Sequence, residues 1–146
     1  MAGKTKIAIA SDHGGFELKE ALKKVFADRY DFIDLGTNST ASCNYADFGH
    51  AVAQAVLDKK AERGIAVCGS GIGISLAANR HKGIRAALCT SVTMARLARQ
   101  HNDANILALG QRITGVQVAQ DCDEAFMNTG YEGGRHDERV KKIDAV

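Results

Sequence analysis

The sequence predicts a three-layer α/β/α, Rossmann-like domain built on a five-stranded parallel sheet. Five short runs rich in Ile, Val and Ala recur along the chain, at residues 6–11, 32–35, 64–68, 84–89 and 106–109. Each reads as a buried parallel strand, covered on both faces. Between them lie segments whose apolar residues return with the helical period, so strands and helices alternate and right-handed crossovers follow. A length of 146 residues suits one core, and residues 1–146 read as a single domain.

The first run, KIAIAS, ends in the polar turn SDHGG, and Leu18, Leu22, Val25 and Phe26 then mark a helix face. The second run, FIDL, opens onto residues 36–44, GTNSTASCN, a polar loop long enough to line a site. Phe48, Ala51, Val52, Ala55 and Val56 make the next apolar stripe. The third run, GIAVC, passes into CGSGIGIS, with a helix starting near Ile72. The fourth run, IRAALC, leads through a further helix to RQHNDAN, with His101 and Asn102 expected just past that helix. The fifth, ILAL, precedes a helix marked by Val116, Ala119, Cys122, Ala125 and Phe126. The tail YEGGRHDERVKKIDAV is expected to add one or two helical turns after the Gly133-Gly134 hinge.

Composition narrows the function. Hydrophobic residues are 45% and charged residues 25% of the chain, an ordinary globular mixture. A net charge of +2 without a basic run gives no footprint for nucleic acid. No stretch is long and apolar enough for a membrane span, and the start lacks a signal-peptide pattern, so a cytoplasmic protein is expected. Cys43, Cys68, Cys89 and Cys122 have neither metal-finger nor C-x-x-C spacing and read as free thiols, three of them as plain core or surface residues.

Ligands of such a sheet sit beyond the carboxyl ends of strands whose crossovers leave to opposite faces. Asp12 and His13 close the first strand, and Cys68 and Ser70 the third. If these strands are neighbours, the four side chains share one cleft. Gly69, Gly71 and Gly73 let backbone approach a ligand closely, and the N–H groups from Gly69 through Ile72 to Gly73 make an anion cradle. A tight strand-to-helix turn would need the same glycines with no ligand; Cys68 and the SDHGG turn favour the cradle. The spacing does not suit a dinucleotide loop, G-x-G-x-x-G, or a triphosphate loop ending in G-K-[ST]. A cysteine phosphatase would need arginine where Ile74 stands. What remains is a thiol beside an oxyanion cradle, an arrangement suited to a general base. Arg135 and Arg139, four apart, face the same way on a helix and are either a solvated face or an anion grip.

The motifs SDHGGFELK, CGSGIGISLAANR, GIRAA, ARQHNDANILALG and YEGGRHDERV, in this order over nearly the whole chain, resemble the type B ribose-5-phosphate isomerase family. That family also holds allose- and galactose-phosphate isomerases. The resemblance implies a homodimer, with room for a tetramer, acting on a sugar phosphate without metal or cofactor; because Cys68 closes the third strand while His101 precedes the fifth, active sites shared between the two subunits are expected. It implies Cys68 as the base between carbons 1 and 2, His101 as the ring-opening acid with Asp12 at the anomeric hydroxyl, and Ser70, where many members have threonine, as a proton shuttle. It implies N–H groups of Gly69, Ser70, Gly71, Ile72 and Gly73 on the enediolate, His13, Arg112, Arg135 and Arg139 on the phosphate, and Asn102 on sugar hydroxyls. Members that lack the cysteine carry glutamate at the position of Ile74. Ala46 stands where proline is common, which leaves the shape of that loop open. A six-carbon aldose phosphate is the alternative substrate, and a non-catalytic nucleotide or sugar-phosphate-binding module the alternative class.

Overall fold

A computed structural model describes residues 3–146. The strands are β1 (Thr5–Ser11), β2 (Tyr30–Asp34), β3 (Arg63–Cys68), β4 (Ala86–Leu88) and β5 (Ile106–Gly110). The helices are α1 (Phe16–Val25), α2 (Tyr45–Leu57), α3 (Ile72–Ala78), α4 (Val92–Asn102), α5 (Val116–Asn128) and α6 (Asp137–Asp144), with short 3-10 turns at His13–Gly15 and Gly134–His136. All strand pairs are parallel, in the order β2-β1-β3-β5-β4.

Strand alternation sorts the core into two unlike layers. Ile7, Ile9, Ile65, Val67, Leu107 and Leu109 face α1, α4 and α5, where they meet Leu22, Ala95, Cys122 and Phe126. Ala8, Ala10, Ala66 and Cys68 face the other way, and their small side chains admit Val52 and Ala53 of α2 and Ile74 of α3. Cys68 therefore sits on the α2–α3 side at the last position of its strand.

The five expected runs are the five strands, but they are not equally covered. β1, β3 and β5 are buried over most of their length, whereas β2 and the three-residue β4 are half-buried edges with one neighbour each. The β2 edge is closed by charge. Lys19, with no exposed surface, donates to both Asp34 oxygens at 2.8 and 2.7 Å, and Lys23 donates at 2.6 Å. Burial pushes the Asp34 carboxyl up, but the two ammonium groups and the Gly36 N–H outweigh it and hold the carboxyl below its ordinary value. At position 46 the missing proline is accounted for: the Ala46 N–H donates to the capping side chain of Asn44 at 2.9 Å, a bond proline could not make.

Candidate active site

β1 and β3 are adjacent, with Ser11 opposite Val67, and α1 and α3 lie on opposite faces of the sheet. The cleft beyond their carboxyl ends is the switch point of the fold. Asp12 leaves β1 extended and accepts the Gly15 N–H at 3.1 Å, capping the first 3-10 turn and turning His13 towards the cleft. A cavity of about 530 Å³ opens there, lined by Asp12, His13, Cys68, Gly69, Ser70, Ile72, Gly73 and Arg112. Gly14, Tyr45, Leu76 and Ile113 complete it without having been singled out in the sequence. Only Tyr45 carries a signal, as the first residue after the polar loop, where α2 begins.

The turn after β3 is held by its own backbone. Gly71 has φ of +80°, and a Cβ there would lie 2.5 Å from Leu88 Cδ1, so this turn needs glycine. The Gly71 N–H donates to Cys68 Sγ at 3.1 Å, and the Ile72 N–H donates to Ser70 Oγ at 3.1 Å. Those two groups, expected to face a ligand, instead orient the thiol and the hydroxyl. Among the described residues, no protein acceptor meets the N–H groups of Gly69, Ser70 and Gly73, which remain as the cradle.

β5 supplies the wall opposite. The Gln111 N–H donates to the Cys68 carbonyl at 2.9 Å and the Arg112 N–H to the Gly69 carbonyl at 2.8 Å. This lays the Arg112 side chain over Gly69, its Nε 3.6 Å from where a Cβ would stand. On the far side the Cys43 N–H donates to His13 Nδ1 at 3.2 Å. An N–H donor at Nδ1 requires a lone pair there, so the proton of a neutral His13 ring is on Nε2, free to donate. All four cysteines are free. Burial pushes Cys89 up to about 12 and Cys122 up to about 11, so both are inert thiols of the core.

The other expected residues are not in this cavity. His101 and Asn102 occupy the last turn of α4 rather than the loop behind it, because the helix runs on until Asp103 caps it with φ of +47°. His101 stacks on His136, ring centroids 4.5 Å apart and planes 14° from parallel. Arg135 lies in the second 3-10 turn and Arg139 on α6. Asn102 instead lines a second cavity of about 520 Å³ beside Arg80, Arg85 and Asp144. The chain thus holds two groups of candidates: a thiol, hydroxyl, carboxylate and cradle at the carboxyl edge, and histidine, amide and arginines beside the end of α4.

Three comparisons bear on what this arrangement serves. The profile of the Ribose/Galactose Isomerase family matches residues 7–143. Ribose-5-phosphate isomerase B of Escherichia coli (strain K12) is 43% identical over 142 residues, which cover 97% of this chain and 95% of that protein. Among solved structures, ribose-5-phosphate isomerase B of Clostridium thermocellum superposes with a TM-score of 0.95 at 49% identity, over 97% of this chain and 96% of that one. The corresponding protein of Thermotoga maritima gives 0.96 at 48% identity, over 99% and 100%. With both the fold and nearly the full length matched, the chain belongs to the ribose/galactose isomerase family.

Proposed function

We propose that the protein interconverts D-ribose 5-phosphate and D-ribulose 5-phosphate through an enediolate, at sites shared between two copies of the chain. The observation that carries the reaction type is the cleft at the β1–β3 switch point, where Cys68 Sγ, the Ser70 hydroxyl and unfilled N–H groups converge on one cavity. Cys68 takes the proton from carbon 2 of the open-chain aldose and returns it to carbon 1. The electron pair released forms the carbon–carbon double bond, and charge passes to the carbonyl oxygen, where the N–H groups of Gly69, Ser70 and Gly73 meet it. Ser70 Oγ carries a proton from the oxygen on carbon 2 to that on carbon 1. His13 Nε2–H and the Arg112 guanidinium suit the phosphate dianion.

The ring-opening acid has to come from elsewhere, since no histidine other than His13 lines the cavity. His101, Asn102, Arg135 and Arg139 fit this part when supplied by a second copy, with His101 protonating the ring oxygen as its bond to carbon 1 breaks and Asp12 takes the proton of the anomeric hydroxyl, Asn102 binding sugar hydroxyls and the arginines gripping the phosphate. The rim of the cavity supports that assembly: Ile72, Leu76 and Ile113 are 54%, 64% and 59% exposed, an apolar surface for another chain to cover.

The family description covers galactose as well as ribose, so the substrate is tested directly. Purified protein is expected to show its highest kcat/KM with ribose 5-phosphate, compared with allose 6-phosphate and galactose 6-phosphate. Equal or better efficiency with a six-carbon substrate would overturn the assignment, and no turnover of any of the three would point to a binding module.

A further inference from the structure

We propose that His101, Glu132 and His136 form a binding site for a transition-metal cation such as zinc, and that filling it silences the isomerase. One ligand atom from each of the three side chains lies within 4.8 Å of the other two. His136 is 6% exposed, yet its Nε2 is buried without a hydrogen-bond partner, its nearest oxygen being Glu132 Oε1 at 3.5 Å. A ring nitrogen removed from water and left unpaired is an energetic defect in the apo chain. It also lies beside a carboxylate and a second imidazole, and these three groups are a donor set zinc takes.

The backbone holds the three together. The Glu132 N–H donates to the Gln100 carbonyl at 3.0 Å, tying the segment to the last turn of α4 that carries His101. Gly133 and Gly134 both have left-handed φ, +68° and +59°, and fold His136 back against the same place. Zinc binds imidazole nitrogen and carboxylate oxygen at about 2.0–2.2 Å, so tetrahedral donors stand roughly 3.3–3.5 Å apart. The Glu132–His136 pair already has that bite. The half-buried His101, now stacked on His136, has to rotate out of that stack to bring a ring nitrogen to the ion, and water completes four-coordination.

Silencing follows from the role given to His101 above and rests on it. A ring-opening acid has to carry and release a proton on its nitrogen, and a metal ion occupies the lone pair that the proton needs. Metal binding itself depends only on the triad.

The test uses the full-length, metal-free protein. Cobalt(II) is expected to bind at one equivalent per chain with the visible absorption of a nitrogen–oxygen site, and zinc to displace it. Glu132→Gln, at a half-exposed position where folding is not at risk, and His136→Gln are each expected to weaken cobalt at least about tenfold. Cys68→Ala is expected to bind as tightly as the parent. Zinc should inhibit isomerisation over the range in which it binds, and Glu132→Gln should stay active at zinc concentrations that stop the parent. Affinity indifferent to Glu132→Gln, or a thiolate-to-cobalt charge-transfer band that vanishes with Cys68→Ala, would overturn the site. Stoichiometric binding at the triad with full activity would uphold the site and overturn both the silencing and the acid role of His101.

Discussion

Cys68 is 3% exposed and ends a buried strand, a setting that by itself would make a thiol inert. The Gly71 N–H at 3.1 Å and the opening of the cavity above it distinguish this sulfur from Cys89 and Cys122, which burial, chiefly, and neighbouring charge hold protonated. Cys68→Ala is therefore expected to lower kcat by about a hundredfold to ten-thousandfold, the usual worth of a general base. Binding of a phosphorylated enediolate mimic should survive, because the cradle is backbone; parent-like kcat in this variant would remove Cys68 from the chemistry. Asp123 shows the opposite outcome for a buried acid. It lies on α5 with neither oxygen paired, and burial pushes its carboxyl up to about 7 from 3.8. The unfolded chain loses this proton near its ordinary value while the folded chain keeps it, so stability falls as pH rises from about 4 to about 7 and is lowest above that. A rise of that size corresponds to on the order of 4 kcal/mol. Asp123→Asn should raise Tm at pH 8 and leave it nearly unchanged at pH 4, as read by thermal unfolding at both values; a Tm gain of equal size at both would mean the carboxylate is not the cause.

At the scale of elements, Arg135 lies in the second 3-10 turn, which the buried His136 anchors against His101, and Arg139 lies on α6, which is held more loosely. Arg85 reaches Asp144 at 2.7 Å, and α6 buries no residue of its own. A helix so placed is a poor stabiliser and a good carrier of exposed charge. Arg135→Ala and Arg139→Ala are each expected to raise KM for the phosphorylated sugar several-fold with little change in Tm, with part of the loss in kcat, since phosphate binding energy also positions the reacting carbons. Kinetics equal to the parent in both variants would leave α6 a solvated face. The strands and their alternation were legible in the sequence because period and apolarity directly encode a doubly covered sheet, and the switch-point location followed from topology. Three local features were not legible in this way. The N–H groups of Gly71 and Ile72 turn inward to Cys68 and Ser70 because a left-handed turn closes that tightly, which residue types do not announce. His101 sits inside α4 because Asp103, a non-glycine residue, adopts the left-handed cap. His136 against His101 depends on where a glycine pair folds the tail, and no spacing rule relates residues that far apart.

At the scale of the molecule, the two groups of site residues belong to opposite ends of the sheet. Cys68 and Gly110 are paired at the carboxyl ends of β3 and β5, whereas His101 precedes Ile106 at the amino end of β5. A five-residue strand spans roughly 17 Å, far beyond the reach of one sugar phosphate's bonds at a single centre. The proposed two-fold partner would resolve this, since an isologous dimer delivers the same foreign residues to both cavities. The consequence is open to a mixing experiment. Cys68→Ala and His101→Asn are each expected to be inactive as homodimers. In a hybrid of one subunit of each, one site carries both substitutions and is doubly defective, while the other combines the intact Cys68 of one chain with the intact His101 of its partner. Unfolding and refolding the two inactive proteins together at equal concentration gives about half hybrids, each with one working site, so about a quarter of parent activity should return. Size-exclusion of the refolded mixture, with one parent carrying a mass tag, establishes that hybrids formed. If hybrids form and remain inactive, base and acid act within one chain, and α4 would have to move to bring His101 to the cleft.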